Sequence, residues 1–249
     1  MKNKLLSISN LSKAYHSVED IVLALDNISF DVCEDEFICI VGPSGCGKST
    51  ILSIIGNLIE KSSGDIIFYK DLTIGYMLQN DCLFEWKNIL DNCLMGLKIS
   101  NKLTAENIEY VISLLKTYGL YEFKDKYPSS LSGGMRQRIA LIRTLALKPD
   151  VLLLDEPLSA LDAQSRLAIG EDIYKIIKQE KKTAIMVTHD LSEAISMSDK
   201  VIVLSNRPAN IKNIYNIDLD EKSTPIKNRS SKNFSYYYEL IWRDLDVTI

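Results

Sequence analysis

The sequence predicts an α/β fold in which a mainly parallel sheet with N-terminal antiparallel strands carries an inserted α-helical subdomain. Short apolar runs such as 151–154 have the length and composition of strands that are buried on both faces. Such runs alternate with helical periodicity, as at 163–180, which is typical of a parallel sheet with crossover helices. Between residues 81 and 147 the apolar positions instead recur at helical spacing, which predicts the inserted subdomain.

Length and composition fit one sizeable domain, or a core with an inserted subdomain. The chain has 249 residues, of which 46% are hydrophobic and 25% are charged. A formal net charge of −4 argues against a nucleic-acid-binding surface, because contacts to phosphates need an excess of Lys and Arg. We therefore expect no nucleic-acid partner.

Cysteine and histidine usage argues against a zinc site. The chain has two histidines, and none of its five cysteines forms a CxxC pair. We expect these cysteines to be reduced and to serve as small apolar residues. They are Cys33, Cys39, Cys46, Cys82 and Cys93.

Targeting and membrane signals are weak. The first ten residues hold two lysines but no long apolar stretch and no small-residue cleavage site, unlike a signal peptide. No window approaches the roughly 18 apolar residues of a membrane span. If the protein works at a membrane, a partner must hold it there.

The first third of the chain predicts strands around one helix. Residues 5–9 and 22–32 alternate in polarity like edge strands. The continuous apolar run Phe37–Val41 predicts a strand buried on both faces. A helix and two short strands are then expected, at 51–58, 65–69 and 73–77.

The remainder predicts a helical insertion and then further strands. Helical spacing in the insertion is seen at Ile108, Val111, Leu114, Leu115, Ile139, Ile142, Leu145 and Ala146. Strand signals return at 151–154, 184–187 and 201–204. We expect 206–233 to loop across the surface. The last segment, 234–245, predicts a short amphipathic helix whose inward positions are Tyr237, Leu240 and Ile241.

A glycine-rich segment after the 37–41 strand matches the phosphate-binding P-loop pattern GxxxxGK[ST]. Its residues are Gly42, Pro43, Ser44, Gly45, Cys46, Gly47, Lys48, Ser49 and Thr50. Glycines let backbone N–H groups curl around phosphates, and the next helix points its positive N-terminal end at the same oxygens. Lys48 would reach the β- and γ-phosphates, and the Ser49 hydroxyl would bind Mg²⁺. The segment predicts the ATP site of a P-loop NTPase core.

Two later strands end in residues that suit ATP hydrolysis. Asp155 and Glu156 follow the apolar run 151–154, and sites in open α/β sheets lie beyond the carboxyl ends of strands. Asp155 would hold Mg²⁺, and Glu156 would polarise the attacking water as general base. His189 follows the strand at 184–187. Since three strands deliver these groups to one sheet edge, we expect His189 to contact the γ-phosphate.

The segment Leu131-Ser-Gly-Gly-Met-Arg-Gln-Arg138 distinguishes among P-loop families. It resembles the signature (LSGGQ-like) of ATP-binding cassette (ABC) transporters. Ser132, Gly133 and Gly134 can present a hydroxyl and bare N–H groups at the positive end of a helix, a second phosphate-binding surface. One ATP cannot easily use both surfaces of one subunit. The resemblance implies that two copies pair head to tail, each signature closing the other's P-loop.

Other landmarks of this family appear in the family's order. The resemblance implies that Tyr15 stacks on adenine, and that Gln79 contacts Mg²⁺ and bridges to the helical subdomain. It puts Asp162, in Ser159-Ala-Leu-Asp162, at the dimer interface and makes His189 the switch histidine. The implied catalytic residues are Glu156, His189, Lys48 and Gln79, and the implied metal ligands are Ser49, Gln79 and Asp155.

The chain looks closest to the nitrate, sulfonate and taurine importers of the family. The likeness lies in 155–166, in 201–208 and in Leu83-Phe-Glu-Trp86, where a family member often has Leu-Leu-Pro-Trp. It implies an ATPase that powers uptake of a small anionic or vitamin-like solute. Transmembrane permease subunits and, indirectly, a solute-binding protein would be its partners, at the cytoplasmic face of the membrane.

Two features depart from the family pattern, and the P-loop contains a cysteine. Met135 replaces the common Gln at the fifth signature position, as it often does in this branch. The stretch 64–79 is short, so we expect altered strand geometry there. Cys46 stands at a helix N-terminus, which lowers the pKa of a thiol, so alkylation that ATP blocks is expected.

The motifs divide the chain into three parts. We expect an ATP-binding α/β core at 1–80 and 148–210, a helical signature subdomain at 81–147, and a C-terminal tail at 211–249.

Three other functions stay open. An ABC ATPase of DNA repair or ribosomes is disfavoured by the single cassette and acidic charge, and a P-loop kinase or GTPase-like switch by the signature. A non-enzymatic regulatory cassette is disfavoured by intact Lys48, Glu156 and His189.

Overall fold

The computed structural model describes residues 3–16, 20–159, 161–220 and 223–245. The strands are β1 (Lys4–His16), β2 (Ile21–Cys33), β3 (Phe37–Val41), β4 (Ser63–Phe68), β5 (Ile74–Met77), β6 (Val151–Asp155), β7 (Thr183–Val187), β8 (Lys200–Leu204) and β9 (Ile211–Asn216). The helices are α1 (Lys48–Ile55), α2 (Ile89–Ile99), α3 (Ala105–Thr117), α4 (Gly133–Leu145), α5 (Ala163–Gln179), α6 (Leu191–Met197), α7 (Pro225–Asn228) and α8 (Phe234–Asp244).

The larger sheet has six strands in the order β5-β6-β7-β3-β8-β9. Pairing is parallel from β5 to β8, and β9 is antiparallel to β8. Every residue of β3, β6 and β7 is buried, as the continuous apolar runs predict. The predicted mainly parallel α/β sheet is confirmed.

Side chains of the central strands alternate between two separate cores, one on each face of this sheet. In β3, Phe37, Cys39 and Val41 belong to one core and Ile38 and Ile40 to the other. This is the period-two alternation of a strand that is covered on both faces. Because β3, β6 and β7 run parallel to one another, their carboxyl ends meet at one edge of the sheet.

A second, antiparallel sheet is formed by β1, β2 and β4, with β1 in the centre. The expectation that residues 5–9 form an edge strand is wrong, because Ser7 is paired with Asp31 on one side and with Ile67 on the other. Alternating polarity reports one buried face of a strand, and not how many strands flank it. The second partner, β4, lies far along the chain and could not be inferred locally.

Three helices occupy the predicted insertion, each with a polar cap at its start. Asn88, Thr104 and Ser132 precede α2, α3 and α4, and each side chain accepts a hydrogen bond from a backbone N–H three residues on. Their apolar faces are buried together, with α2 and α3 packed on α4. The helical reading of this region is confirmed.

The C-terminal region is more regular than expected. Residues 206–233 do not simply loop across the surface, because they include β9 and the short helix α7. β9 extends the larger sheet antiparallel to β8, so backbone pairing rather than apolar patterning makes it a strand. The predicted final helix is confirmed as α8, with Ile241 fully buried and Tyr237 and Leu240 partly buried.

Within the described residues, no helix has the length and apolar content needed to cross a membrane.

The short stretch 64–79 carries β4 and β5, which join different sheets although only residues 69–73 separate them. The chain therefore passes directly from the small sheet to the edge of the large one.

Gly64→Ala should destabilise the protein far more than Gly119→Ala. Both glycines have left-handed backbones, with φ of 84° and 69°. A Cβ at Gly64 would lie 2.2 Å from the backbone oxygen of Asn10, whereas a Cβ at Gly119 would meet nothing within 4 Å. Left-handed strain alone costs about 1–2 kcal/mol, and overpacking adds about 1–3 kcal/mol at Gly64.

Urea unfolding of the two variants and the wild type measures this difference. Equal losses in the free energy of unfolding would contradict the steric argument, because backbone strain is common to both positions.

Candidate active site

The P-loop connects β3 to α1, as its sequence context predicts. Gly45 and Gly47 have φ of 73° and 119°, conformations that other residues rarely adopt. A Cβ at Gly47 would lie 2.7 Å from Cδ2 of Leu25 in β2, so the loop also needs glycine for space. The buried Lys48 ammonium donates to the carbonyl oxygens of Gly42 at 2.9 Å and Pro43 at 3.0 Å.

A cleft of about 240 Å³ opens over this loop. Its lining residues are Ser44, Gly45, Gly47, Lys48, Ser49, Thr50, Glu156 and Arg207. The residues predicted from two separate motifs, the P-loop and the acidic strand end, therefore share one cavity. Because the cavity begins at a helix N-terminus and contains Lys48, it suits an anionic phosphate chain.

Two oxygen groups suited to Mg²⁺ meet beside the cleft. The Ser49 hydroxyl donates to Oδ1 of Asp155 at 2.8 Å, and the Tyr76 hydroxyl donates to Oδ2 at 3.4 Å. Burial raises the pKa of Asp155 and also raises the pKa of Tyr76 to about 12. A hydroxyl and a carboxylate are hard oxygen ligands of the kind that Mg²⁺ prefers, and phosphate oxygens commonly complete its shell.

Glu156 is the centre of a second cluster. Its backbone has φ of 43°, and its N–H donates to the carbonyl of Val187 in β7 at 3.0 Å. Nδ1 of His189 lies 3.1 Å from Oε2 of Glu156, and Nε2 of Gln79 donates to the same oxygen at 3.4 Å. The structure thus joins three predicted catalytic side chains that are far apart in sequence.

Tyr15 lies beside the start of α1. Its hydroxyl is 3.3 Å from Oγ1 of Thr50, its side chain is half-exposed, and the ammonium of Lys13 lies 5.1 Å from its ring centre. An exposed ring next to the P-loop is available for stacking on a nucleotide base.

The signature residues do not line their own chain's cleft. Ser132 caps α4 by accepting from the N–H of Met135 at 3.3 Å, and a Cβ at Gly134 would lie 2.5 Å from Cδ1 of Ile169. Asp162 caps α5, where its Oδ1 accepts from the N–H groups of Gln164 and Ser165. Ala160, in the same predicted loop as Asp162, lies outside the described residues.

The sequence did not predict the ion pairs and hydrogen bonds between α4, the signature helix, and the loop that follows β5 and carries Gln79. Arg136 in α4 pairs with Asp81, with Nε and Oδ2 2.8 Å apart, and with Glu85, with Nη1 and Oε1 also 2.8 Å apart. Arg143, two turns on, donates to the carbonyl oxygens of Asp81 and Cys82 at 2.6 and 2.7 Å. Two arginines seven residues apart on one helix face were the available signal.

Two lining or supporting residues also escaped prediction. Tyr76 comes from β5 and Arg207 from the loop after β8. Both lie in segments that resemble the family, but the sequence predicted no role of its own for either residue. The available signal for Arg207 was its place just beyond the carboxyl end of a strand, where sites in such sheets lie.

The expectation that the pKa of the Cys46 thiol is lowered is wrong. Its side chain is 2% exposed, and burial raises the pKa of the thiol despite the nearby Lys48 and Arg207. The loss of hydration destabilises the thiolate by more than the neighbouring positive charges stabilise it. The exposed, low-pKa thiol needed for ATP-blocked alkylation is not present at this position.

A family model described as ABC transporter matches residues 25–159. This match spans the P-loop, the signature segment and the acidic strand end. The chain belongs to the ABC transporter family. It is an ATP-binding subunit of a transporter and hydrolyses ATP.

Relatives of this ABC ATPase extend the match to nearly the whole chain. An uncharacterized ATP-binding protein, YtlC of Bacillus subtilis, is 44% identical over 248 residues, covering 97% of this chain and 95% of the relative. The taurine import ATP-binding protein TauB of Roseobacter denitrificans is 38% identical, covering 85% and 82%. The aliphatic sulfonates import ATP-binding protein SsuB of Bacillus thuringiensis is 35% identical, covering 92% and 91%.

Solved structures agree with the α/β cassette fold. The ATP-binding cassette MJ0796 in a dimeric post-hydrolysis state bound to ADP and Pi has a TM-score of 0.73 at 30% identity, covering 86% of this chain and 99% of that one. A second dimeric structure of MJ0796 has a TM-score of 0.74 with the same coverage. The resemblance to the ABC transporter family is confirmed, and the relatives named for taurine and aliphatic sulfonate import are consistent with the importer branch.

Asp155→Asn should raise the free energy of unfolding of the ABC ATPase without nucleotide or metal near neutral pH. Because burial raises the pKa of Asp155 in the native state, its ionised form opposes folding above that pKa. The gain should shrink as pH falls through the raised pKa, where the native carboxyl is already protonated. Asparagine keeps an oxygen that accepts from Ser49.

Urea unfolding in neutral and acidic buffers measures this effect, with Asp65→Asn as the matched control at a carboxylate that is 79% exposed. A D155N protein less stable than wild type at neutral pH would contradict the argument.

Proposed function

We propose that this chain is the ATP-hydrolysing subunit of an ABC importer for a small anionic or vitamin-like solute. The observation that carries the proposal is the cleft in which the P-loop meets Glu156, with His189 and Gln79 bonded to the same carboxylate. The importer part is supported by likeness to relatives named for taurine and aliphatic sulfonate import.

The P-loop residues bind the phosphates of ATP. Backbone N–H groups from Gly42 to Thr50 surround the phosphate chain, and the Lys48 ammonium exchanges its present carbonyl partners for the β- and γ-phosphates. Tyr15 stacks on the adenine. The half-exposed Tyr15 ring suits the base, and the cationic, glycine-rich loop beside it suits the phosphates.

Ser49, Asp155 and Gln79 hold the Mg²⁺ ion. Mg²⁺ supplies positive charge that stabilises the developing charge on the phosphates during transfer. The Ser49 hydroxyl and the Asp155 carboxylate lie within 2.8 Å of each other, so both would be placed to hold the ion. Pro43, Ser44 and Cys46 are part of the same loop and would help to surround the phosphates.

Glu156 acts as the general base for the attacking water, and His189 contacts the γ-phosphate. Nδ1 of His189 and the carboxylate of Glu156 are in hydrogen-bond contact, so the imidazole orients the base as well as the phosphate. Gln79 donates to the same carboxylate, so a shift of the Glu156 side chain when water and phosphate bind would also move Gln79.

Two copies of the chain complete each site head to tail. The Ser132 hydroxyl and the N–H groups of Gly133 and Gly134 lie at the positive end of α4 and outside their own cleft. They bind the γ-phosphate held by the partner subunit, while Asp162 lies at the interface. Dimeric structures of a similar cassette support this arrangement.

A groove of about 300 Å³ next to Gln79's loop receives the permease. It is lined by Ile74, Gly75, Tyr76, Phe84, Met95, Gly96, Ile99, Arg143, Thr144 and Leu147. Ile99 is 75% exposed and the nearby Trp86 is 73% exposed, as suits an apolar site for a partner's helix. Tyr76 connects this groove to Asp155 on the Mg²⁺ side of the ATP site, and Arg143 connects it to Asp81 in the loop that carries Gln79.

The same proposal divides the chain by task. Residues 1–80 and 148–210 supply the ATP-binding core and 81–147 the helical signature subdomain, and 211–249 follow as a C-terminal tail whose first strand, β9, pairs with the core. The subunit works peripherally at the cytoplasmic face of the cell membrane, bound to permease subunits and, through them, to a solute-binding protein.

Glu156→Gln should lower the ATPase rate by about 100-fold or more, since general-base catalysis contributes on that order. ATP binding should persist, because glutamine keeps the side-chain size and Lys48 is unchanged. We expect an ATP-bound dimer to accumulate in size-exclusion chromatography. Glu106→Gln, at a site 84% exposed, is the control and should hydrolyse like wild type. Near-normal hydrolysis by E156Q would remove Glu156 from the role of base.

Affinity purification from native membranes in mild detergent, with mass spectrometry, tests the transporter assignment. Wild type and Leu58→Glu, altered at a 61% exposed site outside the groove, should bring down a multi-span permease. Ile99→Glu should lose it while the purified subunit keeps its ATPase rate, because a charge in the groove opposes apolar docking. Recovery of soluble partners alone would favour a non-transport ABC ATPase instead.

A further inference from the structure

The loop that follows β8 is built into the frame of the P-loop. The N–H of Ala209 donates to the carbonyl of Ala24 at 2.9 Å, and the N–H of Asp26 donates to the carbonyl of Ala209 at 2.8 Å. The same part of β2 limits the P-loop, since Leu25 lies where a Cβ of Gly47 would be. One strand therefore positions both loops.

Internal hydrogen bonds hold the shape of this loop. The N–H of Ser205 donates to the carbonyl of Asn210 at 2.9 Å, and the N–H of Asn210 donates to Oγ of Ser205 at 3.0 Å. Its first residue follows Leu204, whose Cβ is 3.0 Å from where a Cβ of Gly42 would lie. The loop therefore begins in contact with one end of the P-loop and closes on itself.

Arg207 extends from this loop over the middle of the P-loop. Its Nη2 donates to the carbonyl oxygen of Gly45, and the side chain lines the phosphate cleft with Lys48 and Glu156. The acceptor belongs to a turn: the N–H of Cys46 donates to the carbonyl of Pro43 at 3.3 Å, with Gly45 left-handed between them. The hydrogen bond from Arg207 thus restrains the turn at Gly45.

We propose that Arg207 is a positioning residue for the phosphates of ATP: it fixes the turn at Gly45 and adds a second positive charge to the cleft. The hydrogen bond to Gly45 uses one of the five N–H donors of the guanidinium. A triphosphate that enters the cleft meets Lys48 from inside the loop and Arg207 from the loop after β8. This inference rests on the proposed nucleotide site.

Arg207→Ala should raise the KM for ATP by about tenfold or more while kcat stays within about twofold. A charge-assisted hydrogen bond is worth roughly a factor of ten in binding, and Glu156 and His189 are untouched. The Kd for ADP, measured by calorimetry, should rise in parallel and depend less steeply on salt than in wild type. Arg207→Lys keeps the charge without the fork and should recover part of the loss.

Asn206→Ala, an exposed neighbour in the same loop, is the matched control and should leave KM and Kd at wild-type values. Lys48→Ala distinguishes the role of Arg207 from the existence of the nucleotide site. If K48A loses ADP binding but R207A has a KM and Kd within twofold of wild type, the role of Arg207 is refuted and the nucleotide site stands. If K48A binds ADP like wild type, the nucleotide site itself is refuted.

Thermal melting of the nucleotide-free variants excludes a fold defect, because an exposed guanidinium should contribute little to stability. Should R207A fail to fold, R207K carries the test alone, and a wild-type KM for ATP and Kd for ADP in R207K would overturn the proposal.

Discussion

The parallel pairing of β3 with β7, and of β7 with β6, is the constraint on which the site depends. Adjacent strands lie about 4.8 Å apart, so the ends of β3 and β6 are roughly 10 Å apart with β7 between them. That spacing lets Ser49, one residue into α1, reach Asp155 at the end of β6 with a 2.8 Å hydrogen bond. Sliding either strand by one residue would turn the inward side chains outward and remove this contact.

At this sheet edge, Glu156 connects two loops through its carboxylate. It holds a left-handed backbone that costs about 1–2 kcal/mol in a non-glycine residue, and its carboxylate joins His189 from β7's loop to Gln79 from β5's loop. Gln79's loop is in turn bonded to α4 through Asp81 and Arg136. Hydrogen bonds, an ion pair and the short backbone segment from Gln79 to Asp81 therefore connect the Glu156 carboxylate to the signature helix.

The phosphate loop is restrained from several directions at once. Leu25 blocks any side chain at Gly47, the Lys48 ammonium ties the loop's first two carbonyls, and Arg207 holds Gly45 from the loop after β8. Such pre-organisation reduces the entropy lost when phosphates bind. The buried Asp155 has an energetic cost of its own, because burial raises the pKa of this carboxyl and so disfavours its ionised form.

The amino-acid sequence by itself determined the central strands, the P-loop, the acid pair and the helical insertion. These depend on local patterns: continuous apolar runs, glycines at fixed spacing and helical periodicity. Tertiary structure decided that β1 lies between β2 and β4, that residues 211–216 form a strand, and that Arg207 reaches Gly45. It also decided that Cys46 is shielded from water and so has a raised pKa. Pairing partners, burial and long side-chain contacts join residues that are distant along the chain, and no local pattern encodes them.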